Sequence, residues 1–283
     1  MNNIQIKSPL VSVEWLSKNI NAKNIVILDA TIPKVTSSNN NFDGVFINQI
    51  KNTRFIDIKT KFSDLSTKLP NTMLTSVAFE KAARDLGINN DSAIVVYDMY
   101  GIYSSSRVWW MFKAMGHNNI AVLDGGFPEW EKAEFEIEKK QFYSGNKGNF
   151  KANFKKKYFN NSHDLLKAIE NKDVIVLDAR AINRFKGLVE EPRKGLRSGH
   201  IPTSISFPYS KLITDNKMIS KEKISEVFTQ IIDNEKPLMF SCGSGITACT
   251  LALGAKIIGL KNISVYDGSW TEWGSNLKLP IEK

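Results

Sequence analysis

The feature that most limits what this chain can fold into is a sequence that returns on itself once. Ile25-Val26-Ile27-Leu28-Asp29-Ala30 comes back as Val174-Ile175-Val176-Leu177-Asp178-Ala179, which puts Asp29 and Asp178 149 positions apart. The run Ile94 to Asp98 returns as the run ending at Cys242, 144 positions later, and Gly101 falls on Gly245 at the same offset. Asp124-Gly125-Gly126-Phe127-Pro128-Glu129-Trp130 returns as Asp267-Gly268-Ser269-Trp270-Thr271-Glu272-Trp273, 143 positions on. A near-constant offset over three separated blocks marks a duplicated domain. Apolar runs closed by a polar residue read as buried parallel strands. Helical stretches fall between them. Ser76 is expected to cap a helix to Asp85, and Ser106 to Met115 forms another. Ser162 precedes a helix from His163 to Asn171, Ser220 one from Lys221 to Asp233, and a last runs from Thr247 to Ile258. Strand–helix alternation predicts an α/β fold, each half a parallel sheet covered by helices on both faces. The expected division is residues 1–140 as the first domain, 141–158 as a linker anchored by Phe142, Tyr143, Phe150 and Phe154, and 159–283 as the second.

The halves differ at one decisive position. Where the first carries Asp98, the second carries Cys242, in the stretch Phe240-Ser241-Cys242-Gly243-Ser244-Gly245-Ile246-Thr247-Ala248-Cys249. A cysteine between a buried strand and a helix start faces backbone N–H groups and the positive end of the helix dipole, which favour a thiolate. Cys242 is therefore the candidate nucleophile, in the half classed as catalytic, and the first half, lacking the thiol, reads as scaffold. Ligands of such sheets bind at the carboxyl ends of strands, where Cys242 stands. Cys249 reads as a small buried apolar residue.

Bulk properties exclude several classes. No apolar run approaches the roughly 18 residues of a membrane span. The N-terminal residues carry no signal-peptide core, and two cysteines seven positions apart make no disulfide framework, so a cytoplasmic location is expected. The net charge of +9 comes from scattered lysines, apart from Lys151, Lys155, Lys156 and Lys157, without the aromatic–basic interleaving of an RNA-binding surface. Neither nucleic acid nor membrane is an expected partner; weak steering of small anions is.

Spacing also narrows the thiol chemistry. A cysteine phosphatase needs Arg six positions after the nucleophile, and that position is Ala248. A cysteine protease needs a partnering His, and His117, His163 and His200 stand in no such context. Two cysteines with scattered histidines supply no zinc site. The loop Cys242-Gly243-Ser244-Gly245-Ile246-Thr247-Ala248 resembles the active-site loop of the two-domain rhodanese family, in its 3-mercaptopyruvate sulfurtransferase branch; the thiosulfate branch has Arg-Lys at Gly243-Ser244. The resemblance extends over Tyr97-Asp98, Arg107-Val108-Trp109-Trp110, Asp124-Gly125-Gly126, Arg184-Phe185, Glu191-Pro192-Arg193, Ser198-Gly199-His200-Ile201-Pro202 and Tyr266 to Trp273.

The resemblance implies two tandem rhodanese-like domains and a transferase that needs no cofactor beyond a covalent cysteine persulfide. Cys242 would take sulfur from 3-mercaptopyruvate, release pyruvate, and pass the sulfur to cyanide or to a thiol such as thioredoxin or a low-molecular-weight thiol. Arg184 and Arg193 would bind the substrate's carboxylate and keto oxygen, and Ser244 would assist the leaving enolate. The amides of Gly243, Ser244, Gly245, Ile246 and Thr247 would cradle the persulfide. Thiosulfate sulfurtransferase and a non-catalytic persulfide relay are the alternative readings. One departure is Gln49 where the family's first half has the His of a His-Ile-Pro-Gly segment with an assigned relay role; Asp43 is a nearby acid. His200, its counterpart in the second half, reads as structural.

Overall fold

A computed structural model of the chain describes residues 3–35, 47–232 and 236–283. Asp43 and Asp233 lie outside them; the helix expected to run to Asp233 ends at Thr229. The described residues form two units. The first comprises Met1–Ser63, Leu74–Lys155 and Asp215–Met218, the second Asp64–Met73, Lys156–Thr214 and Ile219–Lys283.

The first unit holds a five-stranded parallel sheet ordered Leu10–Val11, Ile120–Leu123, Ala93–Tyr97, Ile25–Asp29, Thr53–Phe55. Its central strands are apolar at successive positions because both faces are covered. Ile27, Val95, Tyr97, Ala121 and Leu123 pack with Val13 and Leu16 of the helix Val13–Asn19 and with Phe127 and Trp130 of the helix Gly126–Lys132. The helices Ser76–Asp85 and Ser105–Ala114 form a second layer through Phe79 and Phe112, whose rings meet edge-on at 5.0 Å.

The second unit repeats the plan strand for strand: Ile205–Ser206, Ile175–Asp178, Leu238–Ser241, Ile263–Tyr266, Phe159–Asn160, all parallel. Val176, Met239 and Tyr266 pack on Leu165 and Ile169 of the helix Ser162–Glu170 and on Trp270 and Trp273 of the helix Ser269–Ser275. Alternation turns Phe240 to the opposite side, where it meets Phe228 of the helix Lys221–Thr229. The helix Ala248–Ile257 lies so close there that a Cβ on Gly254 would stand 2.7 Å from Leu212 Cδ1. That contact explains a glycine inside a helix, where it costs about 1 kcal/mol relative to alanine. The duplication is also one of hydrogen bonds: Ala30 N donates to Tyr97 O and Ala179 N to Ser241 O, at 2.9 and 2.8 Å.

Helix starts differ from the sequence expectation by one residue where two adjacent residues can cap. Thr75, not Ser76, is extended and accepts from Ala78 N. Asn161, not Ser162, forms a capping box with Asp164, and Ser162 donates instead to Glu272 Oε1 at 2.6 Å. Ser220 caps as expected. Of the anchors expected over 141–158, Phe150 is buried and Tyr143 stacks under Arg54, but Phe142 is exposed at 90%. Among the described residues no helix is long and apolar enough to cross a membrane.

Candidate active site

The strand Leu238–Ser241 delivers Cys242 to its carboxyl end, and the helix Ala248–Ile257 starts six residues later. Cys242 is 1% exposed, and neither it nor Cys249 is in a disulfide. The intervening loop is fastened to the first turn of the helix Ser269–Ser275. Trp270 N donates to Cys242 O and Thr271 N to Gly243 O, each at 2.9 Å. Thr271 Oγ1 donates to Gly243 O at 2.6 Å.

Ser269 holds the loop from beneath. Its Oγ accepts from Cys242 N at 3.2 Å and from Gly245 N at 3.1 Å, and donates its one proton to Tyr266 O at 2.9 Å. Cys242 Sγ lies 3.9 Å from the same oxygen, the outer limit for a sulfur acceptor. Ser269 is fully buried at φ +49°, a left-handed conformation costing a non-glycine residue roughly 1–2 kcal/mol. The sequence reading assigned Ser269 no role. Its signal was the repeat, which sets it opposite Gly126 (φ +55°), so the second half carries a side chain where the fold favours glycine.

Both arginines converge on Gly243. A Cβ there would lie 3.2 Å from Arg184 Nη2 and 3.8 Å from Arg193 Nη1. Arg193 Nη2 donates to Ser244 Oγ at 3.1 Å. Asn71 Nδ2 donates to both Ser244 O and Ser244 Oγ, each at 3.1 Å; the carbonyl acceptor fixes the orientation of its amide. Ser244 Oγ thus accepts two bonds, which leaves its own proton to point elsewhere. Asn71, 173 residues away in sequence, was unreadable as a site residue.

The equivalent loop of the first unit shows what this turn does with an anion. Asp98 Oδ1 accepts from Tyr100 N at 2.9 Å, and Oδ2 from the amides of Tyr103, Ser104 and Ser105 at 2.8, 3.0 and 2.9 Å. At the 144-residue offset the first three donors correspond to Ser244, Thr247 and Ala248. Cys249 N, opposite Ser105, donates to Ile246 O. Gly245 N, expected in the cradle, donates to Ser269 Oγ. Gly245 supplies φ +73° instead. Gly243 and Ile246 align with Met99 and Ile102, which are not among the Asp98 donors, whereas Ala248 aligns with Ser104, which is.

Three further residues take structural positions. His200 Nδ1 bonds Phe185 O at 2.9 Å and its ring stacks on Phe185, as the sequence reading expected. Gln49 is fully buried and donates to Glu138 Oε1 at 2.7 Å. Cys249 Sγ donates to Gly245 O at 3.3 Å and so also braces the loop.

The rhodanese-like domain model matches this chain twice, over residues 12–133 and 161–276. The thiosulfate/3-mercaptopyruvate sulfurtransferase 1, mitochondrial, of Arabidopsis thaliana is 35% identical, over 99% of this chain and 80% of that protein. The 3-mercaptopyruvate sulfurtransferase of Escherichia coli is 31% identical, over 96% of this chain and 97% of that protein. Among solved structures, SseA from Escherichia coli, described as a 3-mercaptopyruvate sulfotransferase, superposes with a TM-score of 0.84 at 28% identity, covering 93% of this chain and 99% of that one. Two matched domains, one strand order used twice and a single thiol-bearing loop lead to one assignment: the chain belongs to the rhodanese family, as a two-domain sulfurtransferase enzyme.

Proposed function

We propose that the enzyme moves sulfur from 3-mercaptopyruvate through a persulfide on Cys242 to a thiol acceptor, or to cyanide in an assay. The observation that carries this reading is Asp98. A carboxylate oxygen stands three bonds from its Cα, as the outer sulfur of a cysteine persulfide does. The first-half loop therefore holds, with oxygen, an anion at the position that outer sulfur would take. The counterpart donors at Ser244, Thr247 and Ala248 support an anionic persulfide in the same way.

In the first half-reaction the Cys242 thiolate attacks the sulfur of 3-mercaptopyruvate. The S–S bond forms as the C–S bond breaks, and the electron pair leaves with carbon as the enolate of pyruvate. The proton of the transferred SH balances the one the enolate carbon takes up, leaving an anionic persulfide and pyruvate. Arg184 and Arg193 receive the carboxylate and keto oxygen, as the convergence on Gly243 supports. Ser244, with two bonds accepted, has its hydroxyl proton available to the developing enolate oxygen. In the second half-reaction an acceptor thiolate or cyanide takes the outer sulfur and restores the Cys242 thiolate. The names of the relatives support the donor, and the neutral Gly243-Ser244 pair favours it over thiosulfate, a compact dianion. Cytosolic operation is part of the proposal, and cell fractionation tests it.

Mass spectrometry of Cys242 after incubation with each donor is the direct test. A gain of one sulfur atom with 3-mercaptopyruvate, matched by pyruvate release and absent in Cys242→Ser, is expected. Equal or better turnover of thiosulfate would overturn the choice of donor, and pyruvate formation by Cys242→Ser would overturn the mechanism.

A further inference from the structure

The second unit contains a row of buried charges that, among the described residues, has no counterpart in the first. Asp178, at the end of the strand Ile175–Asp178, takes Arg180 in a bidentate grip, with Nε and Nη2 at 2.9 and 2.7 Å from Oδ2 and Nε 3.1 Å from Oδ1. Arg180 Nη2 also donates to Gly199 O at 2.8 Å, and its guanidinium lies 4.4 Å from the Trp270 ring centroid. Arg180 Nη1 donates to Glu191 Oε1 at 2.9 Å. Glu191 in turn accepts from Arg184, Nε to Oε1 at 3.2 Å and Nη2 to Oε2 at 2.5 Å. Side chains of Asp178, Arg180 and Glu191 are 1–2% exposed, and only Arg184, at 16%, reaches toward solvent.

Comparison within the chain separates what the fold requires from what is added. Asp29 is the counterpart of Asp178 and is equally buried, but Thr31 stands where Arg180 does. Asp29 is satisfied by Thr31 N and Oγ1 and by Lys140 Nζ. A buried aspartate at this strand end is therefore met without an arginine. Arg180 and Glu191 extend it outward, and the row ends on Arg184.

We infer that Asp178, Arg180 and Glu191 form a positioning relay that sets Arg184 before the substrate arrives. Glu191 is the residue that fixes the guanidinium. An unrestrained arginine loses rotamer entropy when it is immobilised. Glu191 removes that cost from the binding step by engaging Nε and Nη2. Arg184 Nη1, which takes no protein hydrogen bond among the described residues, is the edge left for an incoming carboxylate, and it stands 3.9 Å from where a Gly243 Cβ would be. Selectivity for a donor carrying a carboxylate then depends on Glu191, which itself touches no substrate. This inference rests on the role given to Arg184 above.

Steady-state kinetics of Glu191→Gln and Glu191→Asp test it. Gln keeps the shape, but loses the charge and turns an N–H toward a guanidinium. The expected result is a KM for 3-mercaptopyruvate raised on the order of tenfold in Glu191→Gln, with kcat within about twofold and partial recovery in Glu191→Asp. Persulfide loading from inorganic polysulfide, which has no carboxylate, and its discharge by cyanide should be unchanged. An unaltered KM overturns the relay. So does an equal loss in polysulfide loading, because that is the mark of a merely structural residue. Wild-type protein that releases no pyruvate from 3-mercaptopyruvate would sink the proposed function instead, and wild-type turnover with an unaltered Glu191→Gln KM sinks this inference alone.

Discussion

Ser269 accepts backbone strain in return for one hydroxyl that gathers two amides of the Cys242 loop. Removing the hydroxyl while keeping the strain leaves those buried amides unpaired, at about 1–3 kcal/mol. Ser269→Ala should lose stability in that range by urea unfolding. Ser269→Gly should lose less, because glycine relieves the φ +49° strain. Both should lower kcat/KM, since the loop is no longer held. Equal destabilisation by the two variants would refute the strain argument. His117 gives a pH prediction at the same scale. Burial holds its imidazole below the ordinary value, against the pull of its bond to Ser92 O. Above about pH 6.5 both folded and unfolded forms are neutral there. As pH falls below that, the unfolded chain takes a proton that the folded protein resists, so stability is lost toward the depressed folded value. Tm should drop between about pH 7.5 and pH 5.5, and His117→Gln should shrink the drop.

At the level of elements, the strand–loop–helix turn occurs twice with opposite contents. In the first unit the anion is built in as Asp98. Asp98→Asn leaves four amides with a weaker acceptor and a misplaced donor, and bonds to a charged group are worth about 1.5–3 kcal/mol. That variant should melt earlier, while its folded fraction keeps wild-type kcat; a loss of kcat without a loss of Tm would contradict the division of roles. Gly243 marks the other limit. A Cβ there would meet guanidinium nitrogens at 3.2 to 3.9 Å, so Gly243→Val should displace Arg184 and raise KM for 3-mercaptopyruvate several-fold in the same steady-state assay. Both effects belong to the turn as a unit, because its amides, its glycines and the helix start are fixed together.

Across the whole chain, a duplicated domain has kept its frame and divided its chemistry. Both units use one strand order, and both bind a backbone amide with the aspartate that follows the fifth strand of the parallel sheet in chain order. Met218 N donates to Asp124 Oδ1 at 2.9 Å, and Met73 N to Asp267 Oδ2 at 2.8 Å. Burial raises Asp124 above its ordinary range, against the pull of its bond from Met218. Each unit also takes in a short segment distant in sequence, residues 215–218 in the first and 64–73 in the second.

Much of this was legible in the residues. Offsets of 149, 144 and 143 fixed two copies of one parallel sheet, because apolar runs at matched spacing have only that way to be buried on both faces. The same alignment placed Cys242 opposite Asp98 and singled out the half that carries the thiol. Helix starts slipped by one residue where Thr75 or Asn161 competes with a neighbouring serine, a contest settled by backbone dihedrals. The tertiary structure alone turned Gly245 N to Ser269 Oγ. It alone brought Asn71 to Ser244 and carried Asp178 through Arg180 and Glu191 to Arg184. Periodicity and spacing record which side chains must be buried; a hydrogen bond between residues 173 apart leaves no period, and depends on where the folded backbone sets its donors.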